Sequence, residues 1–212
     1  MDYTKNRLLV EKGGRAVKKG EKRKQELLEI AYRMFLSDGY ENTSVDAIIQ
    51  QAGIAKGTYY YYFESKEQML EDVIGMMIEA EVERARQVLA APLEVPQKIV
   101  GIIASLRPTR KELPIEDALN RPENLLMHRK IRQQLLETIV PLLSQAVQEG
   151  VARGIFNCDH IAERVKMLMI VSDSLFDEGS FTADDIAVFI DMTEKLLGAA
   201  SGSMGFIRDL IR

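Results

Sequence analysis

The sequence has few of the residues on which catalysis, metal binding and disulfide bonding depend. Its 212 residues include one cysteine, two histidines and no tryptophan. Cys158 alone gives no intramolecular disulfide and no metal-binding set. The sequence also offers no nucleophile with a neighbouring base, no carboxylate dyad and no phosphate-binding glycine loop. It therefore predicts a protein that is not an enzyme and that needs no metal and no cofactor.

Cys158 leaves one alternative open, because Asp159 and His160 follow it directly. A cysteine beside a histidine suggests a redox sensor. The acidic neighbour, however, disfavours the reactive thiolate. We therefore expect an inert cysteine.

Long hydrophobic runs are also missing. No apolar stretch approaches the roughly 18–20 residues that cross a bilayer, and Leu8, Leu9 and Val10 are too few for the apolar region of a secretory signal. Glycines and prolines are few (14 and 6), and no alternating β-branched runs lie between turn residues. The sequence therefore predicts an all-α protein. We expect it in the cytoplasm, without a membrane partner.

Residues 43–66 contain the pattern of two short helices around a tight turn. Thr43 to Asp46 matches a capping box, with Thr43 as the N-cap. Apolar residues then recur at three- and four-residue spacing up to Ala52, which is typical of one helix face. Gly53 follows, and glycine most easily adopts the left-handed backbone found after a helix end. The segment predicts a helix-turn-helix.

The second short helix carries four consecutive tyrosines, at positions 59–62. Successive helical positions are about 100° apart, so these side chains cannot share one face. If Tyr59 and Phe63 are buried, Gly57, Tyr60 and Tyr61 point outward. That outer face suits close approach to a polar surface. DNA is the leading candidate, and a protein partner for the aromatic patch is the alternative.

A third helix begins with a second capping box, Ser65 to Gln68. Lys66 lies in its first turn, where a cation opposes the helix dipole. The position makes sense if the Lys66 ammonium meets a phosphate.

Charge is unevenly distributed along the chain. The net charge is −4, yet the first 24 residues contain nine basic and three acidic side chains. Residues 1–66 hold 12 Lys and Arg against 9 Asp and Glu, so the acidic excess lies in the remainder. We expect residues 1–21 to form a flexible basic arm, which either lies along DNA or is simply solvated. DNA contact should be confined to one end of the protein.

The segment from Arg23 to Val73 resembles the tetracycline-repressor (TetR) family of bacterial transcription regulators. It departs from the usual pattern at Ile49, where the family has a small residue, and at Tyr59 and Tyr61, where leucine and histidine are common. The resemblance is carried by Arg23, Ala31, Phe35, Gly39, Tyr40, Thr43, Ile48, Ala52, Gly53, Ile54, Lys56, Gly57, Thr58, Tyr60, Tyr62, Phe63, Ser65 and Lys66.

The resemblance implies a two-domain, all-α architecture. After the arm of residues 1–21 we expect a three-helix helix-turn-helix DNA-binding domain over 22–66. A helical effector-binding and dimerisation domain should follow over 67–212.

Side-chain chemistry and position suggest a role for each residue of the DNA-binding domain. Hydroxyl groups, Lys66 and helix N-termini suit phosphates, whereas Lys56 and Thr58 are best placed for base edges. Tyr61 could meet either a thymine methyl or a phosphate, and contact by Tyr62 is equally open. The predicted DNA-binding residues are Thr43, Ser44, Ala55, Lys56, Gly57, Thr58, Tyr60, Tyr61, Tyr62 and Lys66.

The resemblance also implies a small hydrophobic effector in a cavity among the middle helices. Methionine adapts to irregular apolar shapes, although a methionine at helical spacing is also an ordinary core residue. The predicted effector-binding residues are Met76, Met77, Arg107, Met127, His128, Met167 and Phe176.

Two amphipathic helices near the end of the chain predict an assembly surface. The first covers 160–177, and a third capping box, Thr182 to Asp185, opens the second. Such a hairpin can pair with its copy as a four-helix bundle, as the resemblance implies; packing within the chain is the alternative. The predicted interface residues are Val165, Leu168, Ser172, Leu175, Ile186, Phe189, Ile190 and Leu197.

The combined prediction is a sequence-specific regulator of transcription that binds double-stranded DNA. We expect a repressor that binds an inverted-repeat operator as a homodimer, with half-sites about 34 Å apart or at a related spacing, and that a small molecule releases. An architectural or partner-recruiting DNA-binding module without an effector is the alternative. Repression or activation depends on where the operator lies, which no residue records.

Overall fold

The computed structural model describes residues 3–106, 110–176 and 181–210, with side chains from residue 20 onward. No strand occurs among these residues, which confirms the predicted all-α fold. The helices are α1 Tyr3–Asp38, α2 Val45–Ala52, α3 Lys56–Tyr62, α4 Lys66–Ala90, α5 Val95–Ala104, α6 Leu113–Leu119, a 3-10 helix Pro122–Asn124, α7 Leu125–Ala152, α8 Ile161–Phe176, α9 Ala183–Leu197 and α10 Ile207–Leu210.

Helix α1 is longer than the sequence predicted. The expected helix began at Lys22, after an arm outside any folded element, whereas α1 begins at Tyr3. The first proline is Pro92, so nothing in this segment stops a helix. Three glycines among the first 20 residues each disfavour helix by about 1 kcal/mol relative to alanine, but they do not break it. The expectation of a non-helical arm was wrong.

The chain folds as two compact units. Within the described residues, the first unit lies in Met1–Met77 and Pro108–His128, and the second in Ile78–Arg107 and Arg129–Arg212. The sequence had placed a boundary after Lys66. Instead the division falls inside α4, and the segment containing α6 belongs to the first unit.

The first unit is built on a core of large apolar side chains from α1 to α4. Helix α1 packs against α2 and α6, and α2 packs against α3. Each fully buried large side chain of this kind stabilises the fold by about 1.5–3 kcal/mol. The large side chains with at most 1% exposure are Leu27, Phe35, Ile48, Tyr59, Phe63, Met69, Leu70 and Val73, and the small side chain of Ala31 is also fully buried.

Polar contacts hold the α6 segment within the first unit. The Tyr32 hydroxyl lies 3.1 Å from the Glu112 carboxylate. The Arg121 guanidinium lies 3.0 Å from the carboxylate of Glu41, which precedes the helix-turn-helix. These links join α6 and the following 3-10 helix to the same unit as α2 and α3.

The second unit contains the helical hairpin of α8 and α9, with α10 packed on both α5 and α9. The predicted capping box at the start of α9 is confirmed, since Thr182 and Asp185 each accept the other's backbone N–H. Lys98 in α5 donates to Glu149 in α7 at 2.7 Å. This hydrogen bond lowers the pKa of Glu149, so the Glu149 carboxylate stays ionised at neutral pH.

Helices α4 and α7 are the long ones after α1, and α7 runs through Pro141 without interruption. Among the described residues, no helix is both long enough and apolar enough to span a membrane.

Candidate nucleic-acid interface and effector cavity

Helix α2 begins one residue later than the sequence suggested. Ser44 is the N-cap, and its hydroxyl oxygen accepts the Ala47 N–H at 3.1 Å. Thr43 is only 1% exposed, and its hydroxyl donates to the Gly39 carbonyl at 2.8 Å. The capping box of Thr43 and Asp46 was therefore wrong, and a Thr43 hydroxyl buried in this way is not available to a phosphate. The Ser44 O–H remains available as a donor.

The turn after α2 is fixed at both of its sides. Gly53 has φ 61 and ψ 40, which confirms the predicted left-handed conformation. From α1, the Arg23 guanidinium donates to the Ala52 carbonyl at 3.3 Å. This contact satisfies a carbonyl that the helix end leaves without an internal partner. This role of Arg23 was not predicted from the sequence.

The inner face of α3 is aromatic, as predicted. Tyr59 and Phe63 are buried, with their ring centroids 5.5 Å apart. Burial raises the pKa of Tyr59 to about 12, so the phenol stays protonated and donates to the Ser65 carbonyl at 3.3 Å. The two rings anchor a helix of only seven residues.

The outer face of α3 is open. Tyr60 and Tyr61 are 49% and 79% exposed, and no atom lies within 4 Å of where a Cβ on Gly57 would stand. Thr58 and Tyr62 are half-buried at the edges of this face. The outward positions expected for Gly57, Tyr60 and Tyr61 are confirmed. Contact of these residues with DNA stays a prediction.

One ion pair joins the first turns of α2 and α3. The Lys56 ammonium lies 3.3 Å from the Asp46 carboxylate, and both side chains are largely exposed. An exposed pair of this kind is worth about 0–1 kcal/mol, so Lys56 can leave Asp46 at little cost. Asp46 was expected to cap α2. The sequence contained a signal for this contact, because Asp46 and Lys56 have opposite charges and lie in the first turns of two successive helices.

Lys66 lies at the start of α4, beside the same surface. Its ammonium lies 4.1 Å from the centroid of the Tyr40 ring and donates to the Glu41 carbonyl at 3.4 Å. Burial and then the neighbouring Glu67 raise the pKa of Tyr40, so its ring stays neutral under the lysine. These contacts hold the ammonium near the end of α1.

The cap of α4 follows the prediction in part. The Ser65 hydroxyl accepts the Gln68 N–H at 3.1 Å. The Gln68 side chain accepts the N–H of Glu64 at 2.6 Å, rather than that of Ser65. The helix start is nevertheless fixed beside Lys66.

The second unit contains a cavity of about 350 Å³, within the usual size range of small-molecule sites. Its wall is mostly apolar and comes from α5, from α7 to α10, and from Leu106 and Met204, which follow α5 and α9. The lining residues are Ile99, Ile103, Leu106, Leu135, Leu143, Val147, Val165, Leu168, Met169, Ser172, Asp173, Phe176, Phe189, Thr193, Leu197, Met204, Ile207 and Leu210.

Buried Glu194 fixes the C-terminal side of this cavity. Its carboxylate accepts the N–H of Gly202 and the N–H of Met204, both at 2.9 Å. The chain after α9 is thereby held so that Met204 and α10 reach the cavity wall.

The effector-binding residues predicted from the sequence mostly lie elsewhere. Phe176 lines the cavity, whereas Met167 is exposed on α8. Arg107 lies outside the described residues. Met76, Met77, Met127 and His128 belong to the first unit and do not line this cavity. Methionine content does not reveal which helix faces enclose a space, so of the predicted residues only Phe176 is placed at this cavity, and effector binding by any of them stays a prediction.

The predicted dimer residues also need correction. The side chains of Val165, Leu168, Phe189, Ile190 and Leu197 are buried within the chain itself. Ser172 lines the cavity, and Leu175 and Ile186 are half-buried. Among the described residues of the hairpin, the large apolar side chains that are exposed are Met167, Ile170, Val171 and Val188.

Cys158 is half-buried. Burial is the largest influence on its thiol and raises the pKa above the ordinary value. A raised pKa disfavours the thiolate, in line with the expected inert cysteine.

Comparisons with known proteins agree with this geometry. Residues 27–73, which contain the helix-turn-helix, match the family of bacterial regulatory proteins known as the tetR family. An uncharacterized HTH-type transcriptional regulator of Bacillus subtilis, YhgD, is 22% identical over 159 residues, which cover 73% of this chain and 83% of YhgD.

Two further proteins are similar over different lengths. The HTH-type transcriptional repressor KstR2 of Mycolicibacterium smegmatis is 36% identical over 80 residues, which cover 38% of this chain and 39% of KstR2. A crystal structure of a TetR/AcrR-family transcriptional regulator from Thermobifida fusca YX-ER1 has a TM-score of 0.51 and 25% identity, covering 86% of this chain and 98% of that one.

The fold and the helix-turn-helix define a DNA-binding regulator of transcription. Over residues 27–73 the chain matches the tetR family of bacterial regulatory proteins, and the relatives that it resembles are transcriptional regulators.

Proposed function

We propose that the protein is a repressor that binds an inverted-repeat operator as a homodimer and is released by a small molecule. The observation that carries this proposal is the outer face of α3. There Gly57 and Tyr60 stand open to solvent above the buried rings of Tyr59 and Phe63. A rigid helix with a glycine at its exposed start can approach a DNA groove closely.

The contacts divide by chemistry. Lys66, Tyr60 and the Ser44 hydroxyl are proposed to bind phosphates, which position the protein on the duplex. Lys56 and Thr58 are proposed to reach base edges, with Lys56 exchanging Asp46 for a guanine. Ala55, Tyr61 and Tyr62 flank this set on α3 and complete the proposed surface.

Dimerisation is proposed to use the exposed apolar side chains of α8 and α9. Met167, Ile170 and Val171 recur on α8 at helical spacing, and Val188 is exposed on α9. Exposed apolar residues grouped on one element mark interaction sites. A two-fold axis at this hairpin would present two copies of α3 to half-sites about 34 Å apart or at a related spacing.

Release is proposed to depend on the cavity of the second unit. An effector that binds a non-operator conformation of the dimer more tightly lowers operator affinity by the ratio of its two affinities. The mostly apolar wall indicates a small hydrophobic molecule.

Selection from a random duplex library with the full-length protein tests the proposal. The expected product is an inverted repeat, bound by a dimer whose mass is measured by light scattering in the same buffer. A protein that stays monomeric and retains no duplex at low salt would contradict the proposal.

Lys66→Gln is expected to weaken binding to all sequences about equally. Each phosphate contact adds about 0.9 to the slope of log affinity against log salt, so losing one in each protomer reduces the slope by about 1.8. Fluorescence anisotropy at several salt concentrations measures the slope. Lys195→Gln, which removes a lysine paired with Asp191 on α9, is the control and should leave the slope unchanged. An unaltered slope for Lys66→Gln would refute the phosphate contact.

Lys56→Ala is expected to change which operator is preferred. Loss of a base contact should remove about 1–3 kcal/mol of discrimination at one base pair in each half-site. Asp46→Asn is the matched control, because it frees Lys56 and should strengthen binding without altering the preference. Competition between single-base operator variants measures both effects. Retained discrimination in Lys56→Ala would show that this side chain reads no base.

A further inference from the structure

The polar groups of the cavity are few and adjacent. Among the described lining residues, Asp173 is the one charged side chain, and Ser172 and Thr193 supply the only hydroxyls. Ser172 and Asp173 are successive residues of α8, and Thr193 belongs to α9. A ligand in this cavity therefore meets hydrogen-bonding groups only near the α8–α9 hairpin and apolar surface elsewhere.

Asp173 does not present an unbalanced charge to the cavity. Its carboxylate forms an ion pair with the guanidinium of Arg132 on α7, so the pair has no net charge. A charged ligand would lose its hydration on entering, and this loss is repaid only by an unbalanced opposite charge. The Asp173–Arg132 pair itself offers no such charge to an anion or to a cation.

The hydroxyl of Thr193 is already committed as a donor. It donates to the Phe189 carbonyl at 2.7 Å, which leaves only its oxygen as an acceptor. The ion pair occupies Oδ1 of Asp173, and the second carboxylate oxygen is an acceptor too. The Ser172 hydroxyl can both donate and accept. The polar corner thus favours a ligand group that donates a hydrogen bond to Asp173 or Thr193 and can also accept one, as a hydroxyl does.

We infer that the cavity takes an uncharged, lipophilic molecule with a hydroxyl group, which donates to Asp173 or Thr193. The inference rests on the proposed function, in which this cavity holds the effector. It adds the chemical class of that effector. It also separates hydroxylated lipophiles from fatty carboxylates and from lipophilic amines of the same length.

A matched series of 1-octanol, octanoate and octylamine tests the inference by isothermal titration calorimetry with the full-length dimer. Octanol is expected to bind at least about tenfold more tightly than either ion, since a tenfold ratio needs only 1.4 kcal/mol of unrecovered desolvation. Stronger binding of octanoate or octylamine, or no detectable octanol binding, would overturn the inference.

Asp173→Asn makes the prediction sharper. This substitution keeps the shape of the side chain but removes one negative charge beside Arg132. The affinity for octanoate should therefore rise at least about tenfold relative to the affinity for octanol. Asp159→Asn is the control, because it removes a carboxylate that is also paired with an arginine, Arg164, but does not line the cavity. It should leave the order of the three ligands unchanged. Equal changes in both variants would contradict the assignment to Asp173.

Ligand binding and DNA binding are measured separately, so the two proposals can fail independently. If octanoate binds best while the ligand-free dimer still selects an inverted repeat, only the effector class is wrong. If the protein binds no duplex, the proposed function fails whatever the calorimetry shows.

Discussion

Gly198→Ala is expected to destabilise the second unit by about 2–5 kcal/mol, the sum of backbone strain and a steric clash. Gly198 ends α9 with φ 62 and ψ 36, a conformation in which a Cβ costs roughly 1–2 kcal/mol. The added Cβ would stand 2.8 Å from the carbonyl carbon of Asn157 and closer still to its oxygen.

The clash cannot be relieved by a side-chain rotation, because the obstructing atoms are backbone. The Asn157 N–H donates to the Leu197 carbonyl at 3.0 Å, so the two segments are tied together where the Cβ would enter. Either this hydrogen bond or the end of α9 must shift. Urea denaturation of the full-length protein, followed by circular dichroism, measures the loss.

Gly154→Ala is the matched control in the same unit. Gly154 also has a positive φ of 73, but nothing lies within 4 Å of the position that its Cβ would take. Only the backbone strain applies here, and the free energy of unfolding is expected to fall by about 1–2 kcal/mol. Similar losses for the two variants would show that the approach of Asn157 to Gly198 does not contribute.

The elements that followed from the sequence are those that depend on local rules. Hydrophobic period and capping residues predicted α2, α3, the start of α4, α8 and α9, and the spacing of Tyr59 and Phe63 predicted the buried face of α3. Gly53 predicted the turn that follows α2. The N-cap of α2 was predicted wrongly, because Thr43 and Ser44 are both good capping residues and only packing decides between them. Thr43 is taken into the core, where it donates to Gly39.

The second unit could not be predicted in the same way, because its helices are apolar on more than one face. On α8, Val165 and Leu168 recur at helical spacing, and so do Met167 and Ile170. Periodicity alone cannot say which stripe is covered by the chain's own helices. The structure buries the first stripe and exposes the second. Contacts such as that of Asp173 with Arg132 join residues that are distant in sequence, so no local pattern predicts them.

Val188→Glu is expected to convert the dimer to a monomer and to weaken operator binding by about 10²–10⁴-fold. At a two-fold interface the same patch meets its own copy, so one substitution brings two like charges toward a surface that loses water on pairing. Burying an unpaired charge is costly. The monomer then binds one half-site and loses the effective concentration that linkage to the second provides. Light scattering gives the mass, and anisotropy with the selected operator gives the affinity.

Leu126→Glu is the matched control for the dimer prediction. Leu126 is 80% exposed and Val188 is 67% exposed, and both changes add one glutamate to an exposed apolar position of a helix. Leu126 lies at the start of α7, away from the α8–α9 hairpin in sequence. The Leu126→Glu variant should remain a dimer and should bind the operator with unchanged affinity. If Val188→Glu also stays dimeric, the exposed face of α8 and α9 is not the interface, and the inverted-repeat operator loses its structural basis.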